Sequence, residues 1–345
     1  MVRLWGDFPV ITTVAGDITS ENIDEVYPQY FPEQNTELEA YQQIERDLLD
    51  AVLYAPDNTP GNKTLFSKSV ARTLLAKIYA EKPLRDYTKV IQYCDEVKAD
   101  GFDLVDDFSD LFGMNAAGTD AKMRNTKESI LEAQFTSGAG NWCTWMFGRD
   151  LVNWNNNFTW AKWVTPSRDL ISAFKQEGDE VRFKESIVYY DCNWSNYYPS
   201  DNYPFMYKCR SANSSIIKFR YADVLLLKAE ALIMQDTPDL EGAADIIDKV
   251  RDRAKLGALP TSVRSNKNVL LNALLKERRL ELAFEGQRWF DLVRLDKVEE
   301  VMNAVYAKDS GRKAQIYTFD KNSYRLPIPQ SVIDANDKIH QNPGY

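Results

Sequence analysis

The stretch LKERRLELAFEGQRWFDLVRL, residues Leu275–Leu295, decides the fold of this chain. Leu280, Ala283 and Phe284 recur at three- and four-residue spacing, which is typical of a helix with one face against a core. Opposite charges lie between them at the spacing of helical ion pairs. We therefore predict a long helix here. Gly286 falls where two helical runs join, and it either ends one helix or lets another backbone approach closely.

The charged residues of this stretch allow two interpretations. They are Glu277, Arg278, Arg279, Glu281 and Arg288. They could form a site for an anion. We favour a partly buried network of ion pairs that fixes the last helices against the extended peptide Leu326–Pro329.

The composition indicates an acidic globular protein. The 345 residues suffice for one large domain or two ordinary ones, and 44% of them are hydrophobic. The net charge of −9 and the absence of a basic run disfavour nucleic acid as a partner. No apolar run is long enough to span a membrane, and Met1 does not open a signal peptide.

Few residues are suited to catalysis or metal binding. His340 is the sole histidine, and the four cysteines are widely spaced, so imidazole-dependent catalysis and a zinc site are disfavoured. The 51 carboxylates would suffice for glycoside hydrolysis, but no pair of them stands out. We predict a protein that is not an enzyme and has no cofactor, with calcium left open.

Apolar periodicity predicts two pairs of helices. Thr36 and Glu39 form a capping box for a helix whose apolar stripe is Leu38, Tyr41, Ile44, Leu48 and Val52. Helices over 66–81 and 86–98 form one hairpin, and helices over 221–234 and 240–254 form another, with spacing similar to tetratricopeptide repeats. More than a hundred residues separate the two hairpins, so an insertion interrupts the helical scaffold.

The insertion is rich in aromatic residues. Residues 142–207 hold 17 of the 42 aromatic side chains of the chain, together with many Asn, Asp and Ser residues. One helix is predicted within it, capped by Thr165, with Pro166 in its first position and Gly178 at its end. Short strands are predicted over 129–135 and 185–190, whereas Trp5 and Trp289 are predicted to lie in the core.

The aromatic segment suggests sugar binding. Flat indole and phenol rings stack on the apolar C–H faces of sugars, while amides and carboxylates bind the hydroxyls. The candidate ligand-binding residues are Trp142, Trp145, Asn153, Trp154, Asn156, Trp160, Trp163, Trp194 and Tyr198. The alternative is that these rings fill an irregular core, as buried Trp and Tyr often do.

Several motifs resemble one protein family in their order along the chain. They are RLWGDFPVITT (3–13), TELEAYQQIERDLLDAV (36–52), RYADVLLLKAEAL (220–232), IDKVRDRAKL (247–256), the stretch 275–295, and LPIPQSVIDANDKIHQNPGY (326–345). This pattern is similar to that of the SusD/RagB family, surface lipoproteins of Bacteroidetes-type bacteria that capture glycans or other nutrients. Family members usually carry an export signal, a lipid-accepting Cys and further helices before the first motif, and none is present in this sequence.

The resemblance implies a fold and a function. The fold would be mainly α, a single SusD-like domain over 1–345. It would combine a tetratricopeptide-like helical scaffold (35–100 and 219–305), a loop-rich aromatic insertion (about 129–210) with few strands, and a C-terminal extended segment (312–345). The protein would bind oligosaccharide or polysaccharide at the outer face of the outer membrane, lipid-anchored in its full-length form, and deliver it to a TonB-dependent, SusC-like transporter.

The sequence leaves two other functions open. The chain could be a tetratricopeptide-type scaffold that binds protein or peptide segments without affinity for glycans. It could also be a polysaccharide-degrading enzyme. Retardation by polysaccharides in a gel would indicate the glycan-binding protein, and release of reducing sugar would indicate the enzyme.

Overall fold

The computed structural model describes residues 1–136, 164–192, 197–308 and 318–345. Within these ranges the protein is mainly helical with few strands, which confirms the predicted fold class. The helices are α1 (Val2–Trp5), α2 (Ile23–Val26), α3 (Glu37–Tyr54), α4 (Lys68–Ala80), α5 (Tyr87–Ala99), α6 (Ser109–Phe112), α7 (Arg168–Glu177), α8 (Glu180–Ser186), α9 (Tyr221–Met234), α10 (Leu240–Arg253), α11 (Thr261–Arg264), α12 (Lys267–Glu281), α13 (Arg288–Arg294), α14 (Val298–Lys308) and α15 (Gln330–Ala335). The strands are β1 (Ser129–Ala133), β2 (Ile187–Tyr190), β3 (Tyr203–Met206) and β4 (Ile216–Arg220).

Helix α3 begins with the predicted capping box. The Glu39 backbone N–H donates to the Thr36 hydroxyl, and the Thr36 N–H donates to the Glu39 carboxylate over 2.8 Å. Tyr41 and Leu48 of its predicted stripe are buried, but Leu38 is exposed and Ala40 takes the place against the core. Leu38 lies in the first turn, beside the solvent-facing cap, so it faces away from the neighbouring helix.

The two predicted hairpins, α4–α5 and α9–α10, pack against each other through α9. Helix α4 lies between α3 and α5, and α9 contacts α4, α5, α10 and α12. The helix α9 is buried on nearly every side, as its almost uninterrupted apolar sequence requires. Its partner α10 begins at Asp239, whose side chain accepts a hydrogen bond from the Gly242 N–H over 2.9 Å.

The strands form two small antiparallel sheets. In one, β1 pairs with β4, so that Ser129 lies opposite Arg220. In the other, β2 pairs with β3, so that Tyr190 lies opposite Tyr203. The first sheet lies where the insertion joins the scaffold, since the insertion begins with β1 and β4 leads directly into α9.

The stretch 275–295 is two helices rather than one long helix. Helix α12 ends at Glu281 and α13 begins at Arg288. Phe284 and Gly286 between them have φ angles of 67° and 74°, which a right-handed helix cannot contain. In the described ranges no heavy atom lies within 4 Å of a Cβ built on Gly286, so the glycine serves the turn and not a close backbone approach.

The insertion helix α7 is capped by Ser167, not by Thr165. The Ser167 hydroxyl accepts a hydrogen bond from the Leu170 N–H over 3.1 Å. Thr165 is instead hydrogen-bonded to the hydroxyl of Tyr203, at 3.0 Å, and so helps to position β3. The helix ends at Gly178, as predicted, and this glycine has the left-handed conformation.

The C-terminal peptide packs against the N-terminal turn. The Leu326 N–H donates to the Leu4 carbonyl over 2.7 Å, and the Asn342 amide donates to the carbonyls of Trp5 and Leu326. Trp5 is half-buried rather than in the core. No helix in the described part of the chain is long and apolar enough to cross a membrane. The division of the chain into one domain with the bounds given above stays a prediction.

Candidate functional site

The described part of the aromatic insertion is organised around the β2–β3 hairpin. Tyr203 and Phe205 of β3 are buried side by side, with ring centroids 5.3 Å apart. Tyr190 of β2 packs on Phe205 from the opposite strand at 6.5 Å. Cross-strand aromatic pairs of this kind stabilise a short hairpin that would be marginal alone. The β2–β3 hairpin is thus stabilised by its own aromatic contacts.

Tyr198 is the one candidate ligand residue that the structure describes. Its ring is half-buried and meets Tyr197 and Tyr203 edge-on, at 4.8 and 5.7 Å. Its hydroxyl donates to the Pro166 carbonyl over 2.9 Å, and the Arg168 guanidinium lies 5.0 Å from its ring. The hydroxyl therefore serves the fold, and a ligand would meet the ring rather than the hydroxyl.

The other eight candidate residues lie outside the described residues. They are Trp142, Trp145, Asn153, Trp154, Asn156, Trp160, Trp163 and Trp194. Their assignment to a ligand site stays a prediction, as does that of Tyr198.

A buried cluster of charges lies beneath the insertion, centred on Glu281 at the end of α12. The Glu281 cluster consists of Glu281, Arg182, Arg220 and Arg253. Oxygens of Glu281 pair with Arg182 at 3.0 Å and with Arg220 at 2.5 Å, and Arg253 pairs with the same carboxylate. Burial opposes ionisation, but Arg253, Arg220 and Arg182 hold the pKa of Glu281 well below its usual range. One carboxylate thereby joins α8, β4, α10 and α12.

Further ion pairs continue the cluster into the insertion. Arg182 also pairs with Glu277 at 2.5 Å, and Lys208 pairs with Glu285 at 2.6 Å. Arg182 and Lys208 belong to the insertion, whereas Glu277 and Glu285 belong to α12 and the turn that follows it. Burial lowers the pKa of Lys208 to about 8, although Glu285 opposes this, so the lysine is still charged at neutral pH.

A second group of ion pairs fixes α13 against α9. The Arg278 guanidinium lies between Asp223 and Asp291, at 2.8 and 2.9 Å, and Arg294 pairs with Glu230 at 2.6 Å. The predicted ion-pair network is confirmed for Glu277, Arg278, Arg279 and Glu281, because each has a carboxylate or guanidinium partner. The partners of these four residues lie on α7, α8, α9, α10, α13 and β4. The interpretation that the network fixes the last helices against the peptide Leu326–Pro329 was therefore wrong.

Arg288 and Trp289 lie elsewhere than predicted. Among the described residues Arg288 has no partner in the network, and its guanidinium donates a hydrogen bond to the Leu275 carbonyl over 2.9 Å. Trp289, predicted in the core, is half-buried and lines a cavity of about 420 Å³ between α7, α13 and α14. Sequence reasoning missed this cavity, because its walls come from segments more than a hundred residues apart.

The described residues show no arrangement suited to holding a metal ion. No group of three or more His, Cys, Asp or Glu side chains in the described ranges could do so. Cys94, Cys192 and Cys209 are present as thiols. The carboxylate of Glu281 is already neutralised by guanidinium groups, so it is a poor ligand for a further cation.

Comparison with known proteins identifies relatives over the whole chain. The SusD family model matches residues 201–345. SusD-like protein P2 of Formosa agariphila is 28% identical over 394 residues, covering 100% of this chain and 71% of the relative. SusD-like protein P38 of the same organism is 44% identical over 99 residues, covering 27% of this chain and 19% of the relative.

Solved structures share the fold. A SusD-like protein from Bacteroides fragilis superposes with a TM-score of 0.76 at 21% identity, covering 100% of this chain and 76% of that structure. A laminarin binding SusD-like protein has a TM-score of 0.71 at 25% identity, covering 100% of this chain and 75% of that structure. Surface glycan-binding protein A from Bacteroides fluxus has a TM-score of 0.74 at 21% identity, covering 100% and 74%. The chain is thus similar to the SusD family over residues 201–345 and shares the SusD-like fold over its whole length.

Proposed function

We propose that this protein binds an oligosaccharide or polysaccharide at the cell surface and delivers it to a TonB-dependent, SusC-like outer-membrane transporter. The observation that carries the proposal is the likeness of the whole chain to a laminarin binding SusD-like protein. The sequence supports it independently, because residues 142–207 concentrate six of the eight tryptophans of the chain among many polar residues.

The structure supports a binding role through the way the insertion is fixed to the helical scaffold. The insertion is held on the helical scaffold by the Glu281 cluster and by Lys208, all buried charges with several partners. A ligand site built on this described part of the insertion would be pre-organised, which reduces the entropy lost on binding. The transporter partner and a lipid-anchored position on the outer face of the outer membrane come from the family resemblance alone.

We infer binding without catalysis. His340, the sole histidine, is exposed, and its backbone N–H donates to the Gln34 side chain at the surface. Arginines lower the pKa of the buried carboxyl of Glu281, and Arg220 and Lys208 lower that of Glu285, so neither can act as a proton donor at neutral pH. A peptide-binding scaffold without affinity for glycans is the alternative function.

Affinity electrophoresis on a panel of polysaccharides, laminarin among them, tests the proposal. We expect at least one polysaccharide to retard the protein. Replacing Trp154, Trp160 and Trp194 by Ala should abolish the retardation while the melting temperature changes little, because stacking of sugar on indole is lost. Tyr54→Ala is the matched control, since Tyr54 is 83% exposed and outside the insertion.

Three results would contradict the proposal. Absence of retardation across the panel would favour the peptide-binding scaffold. Collapse of the fold in the triple variant would show that these indoles are structural. Release of reducing sugar from a retarding polysaccharide would indicate an enzyme instead.

A further inference from the structure

The cavity beside Trp289 lies apart from the residues predicted to bind ligand. It has a volume of about 420 Å³ and is lined by residues of α7, α12, the turn 282–287, α13 and α14. Small-molecule sites in proteins usually measure about 300–1,000 Å³. The cavity, here called the Trp289 cavity, is therefore large enough for part of an oligosaccharide.

Arg288 brings to this cavity a positive charge that has no ion-pair partner among the described residues. Its hydrogen bond to the Leu275 carbonyl uses one of five N–H donors, and no carboxylate in the described ranges lies within ion-pair distance of it. The neighbouring Arg279 is already paired with Asp169. Burial and the proximity of Arg279 lower the pKa of Arg288 to about 10, so the guanidinium is charged at neutral pH but poorly stabilised.

The charge of the cavity contrasts with that of the whole chain. Among the described residues, the charged side chains that line it are Asp169, Arg279 and Arg288, which sum to +1, whereas the chain carries −9. An anion bound beside Arg288 would supply the missing counter-charge. The planar fork of a guanidinium matches a carboxylate, which can accept two parallel hydrogen bonds from it.

The wall beside Arg288 is aromatic and firmly held. Trp289 packs on Phe319 at 6.1 Å, and Tyr306 meets Phe319 edge-on at 5.3 Å. The Asn303 side chain fixes the backbone of Phe319 through two hydrogen bonds, of 2.8 and 2.9 Å. A rigid indole next to a guanidinium offers a stacking surface for a sugar ring together with a partner for its acidic group.

We propose that the Trp289 cavity binds a sugar residue that carries a carboxylate, a hexuronate, with Arg288 as the partner of that carboxylate. The proposal rests on the proposed glycan-binding function and narrows it to acidic glycans. It assigns the counter-charge to Arg288 and the stacking surface to Trp289. Asp169 keeps Arg279 engaged, so that Arg288 is the charge that the ligand meets.

The test compares two oligosaccharides that differ only at C6. A β-1,4-linked oligoglucuronate and a cello-oligosaccharide of equal length are titrated into the protein by calorimetry. We expect the oligoglucuronate to bind at least about tenfold more tightly. Arg288→Gln should weaken its binding by about tenfold or more, and Arg288→Lys, which keeps the charge but loses the fork, by less. Lys184→Gln removes one charge from an exposed position outside the cavity and should change binding by less than about twofold.

The outcomes separate this proposal from the proposed function. If both oligosaccharides bind equally, if neither binds, or if Arg288→Gln binds like the wild type, the Trp289 cavity is not a hexuronate site. Retardation by neutral polysaccharides would then still support glycan binding. Oligoglucuronate binding could survive replacement of Trp154, Trp160 and Trp194 but be lost in Arg288→Gln. The Trp289 cavity would then bind the sugar although the three indoles of the insertion are not needed for binding. Melting curves confirm that Arg288→Gln is folded.

Discussion

At the scale of single residues, Glu281 is the position where burial and ion pairing are most closely linked. It is fully buried, and three arginines from three different elements converge on its carboxylate. Taking four charges out of water is costly, and their mutual attraction offsets that cost only while every partner is present. The cluster is therefore better regarded as a device that fixes one geometry than as a source of net stability.

We predict that Glu281→Gln lowers the free energy of unfolding by about 3–5 kcal/mol, because it leaves buried guanidinium groups without their counter-charge. The matched control is Glu241→Gln. Glu241 pairs with Arg264 at the surface, where its side chain is 72% exposed, so the loss should be below about 1 kcal/mol. Urea denaturation at pH 7 measures both, and equal losses in the two variants would contradict the importance assigned to Glu281.

At the scale of elements, the turn 282–287 decides how the last helices are arranged. It ends α12 where Glu281 and Glu285 reach the buried arginines, and it redirects the chain so that Arg278 and Asp291 can pair. The two left-handed residues, Phe284 and Gly286, make this redirection possible. A continuous helix would have carried Asp291 away from Arg278.

We predict that Gly286→Ala costs about 1–2 kcal/mol, because an L side chain is strained at its φ of 74°. Space is not the cause, since a Cβ would have no neighbour within 4 Å among the described residues. Gly257→Ala is the control: it also has open space but no such φ, so it should be neutral or slightly stabilising. Thermal melting of the two variants gives the comparison, and a harmless Gly286→Ala would show that the turn tolerates a side chain.

Local sequence patterns predicted the elements well, and pairings between distant residues poorly. The hairpin α9–α10 and the Thr36–Glu39 cap followed from periodicity and from side chains within one turn. The cap of α7 was misplaced by two residues because Thr165 is used by Tyr203, 38 residues away. Likewise Arg182 reaches Glu277 across 95 residues, and the Trp289 cavity joins α7 to α14. Such contacts depend on tertiary packing, which periodicity does not encode.

At the scale of the whole molecule, buried charges join the insertion to the helical scaffold. Arg182, Lys208 and Arg210 all lie in the insertion and are buried. Arg182 and Lys208 pair with carboxylates of α12 and its following turn. Glu281 and Glu285 have lowered pKa values, so their protonation in acid should weaken the connection between the insertion and the scaffold.

The sign of the acid effect follows from the pKa directions. Burial opposes ionisation of Glu285, but Arg220 and Lys208 lower its pKa. Burial likewise opposes ionisation of Asp291, but Arg278 and Arg294 lower its pKa. The three arginines do the same for Glu281. A carboxyl whose pKa is lower in the folded state contributes stability above its unfolded pKa, which is lost as pH falls below about 4.5.

Glu277 and Asp179 contribute with the opposite sign, because burial raises their pKa. The comparison that isolates Glu281 is therefore between the wild type and Glu281→Gln. We predict that wild-type stability falls as pH drops from 4.5 towards 3, and that the variant falls less steeply, by up to about 1.4 kcal/mol per pH unit for the one missing proton. Urea denaturation at pH 7, 4.5 and 3.5 measures both slopes. Parallel curves would mean that Glu281 is not ionised in the folded protein, and the account of the cluster as one carboxylate shared by three arginines would then be wrong.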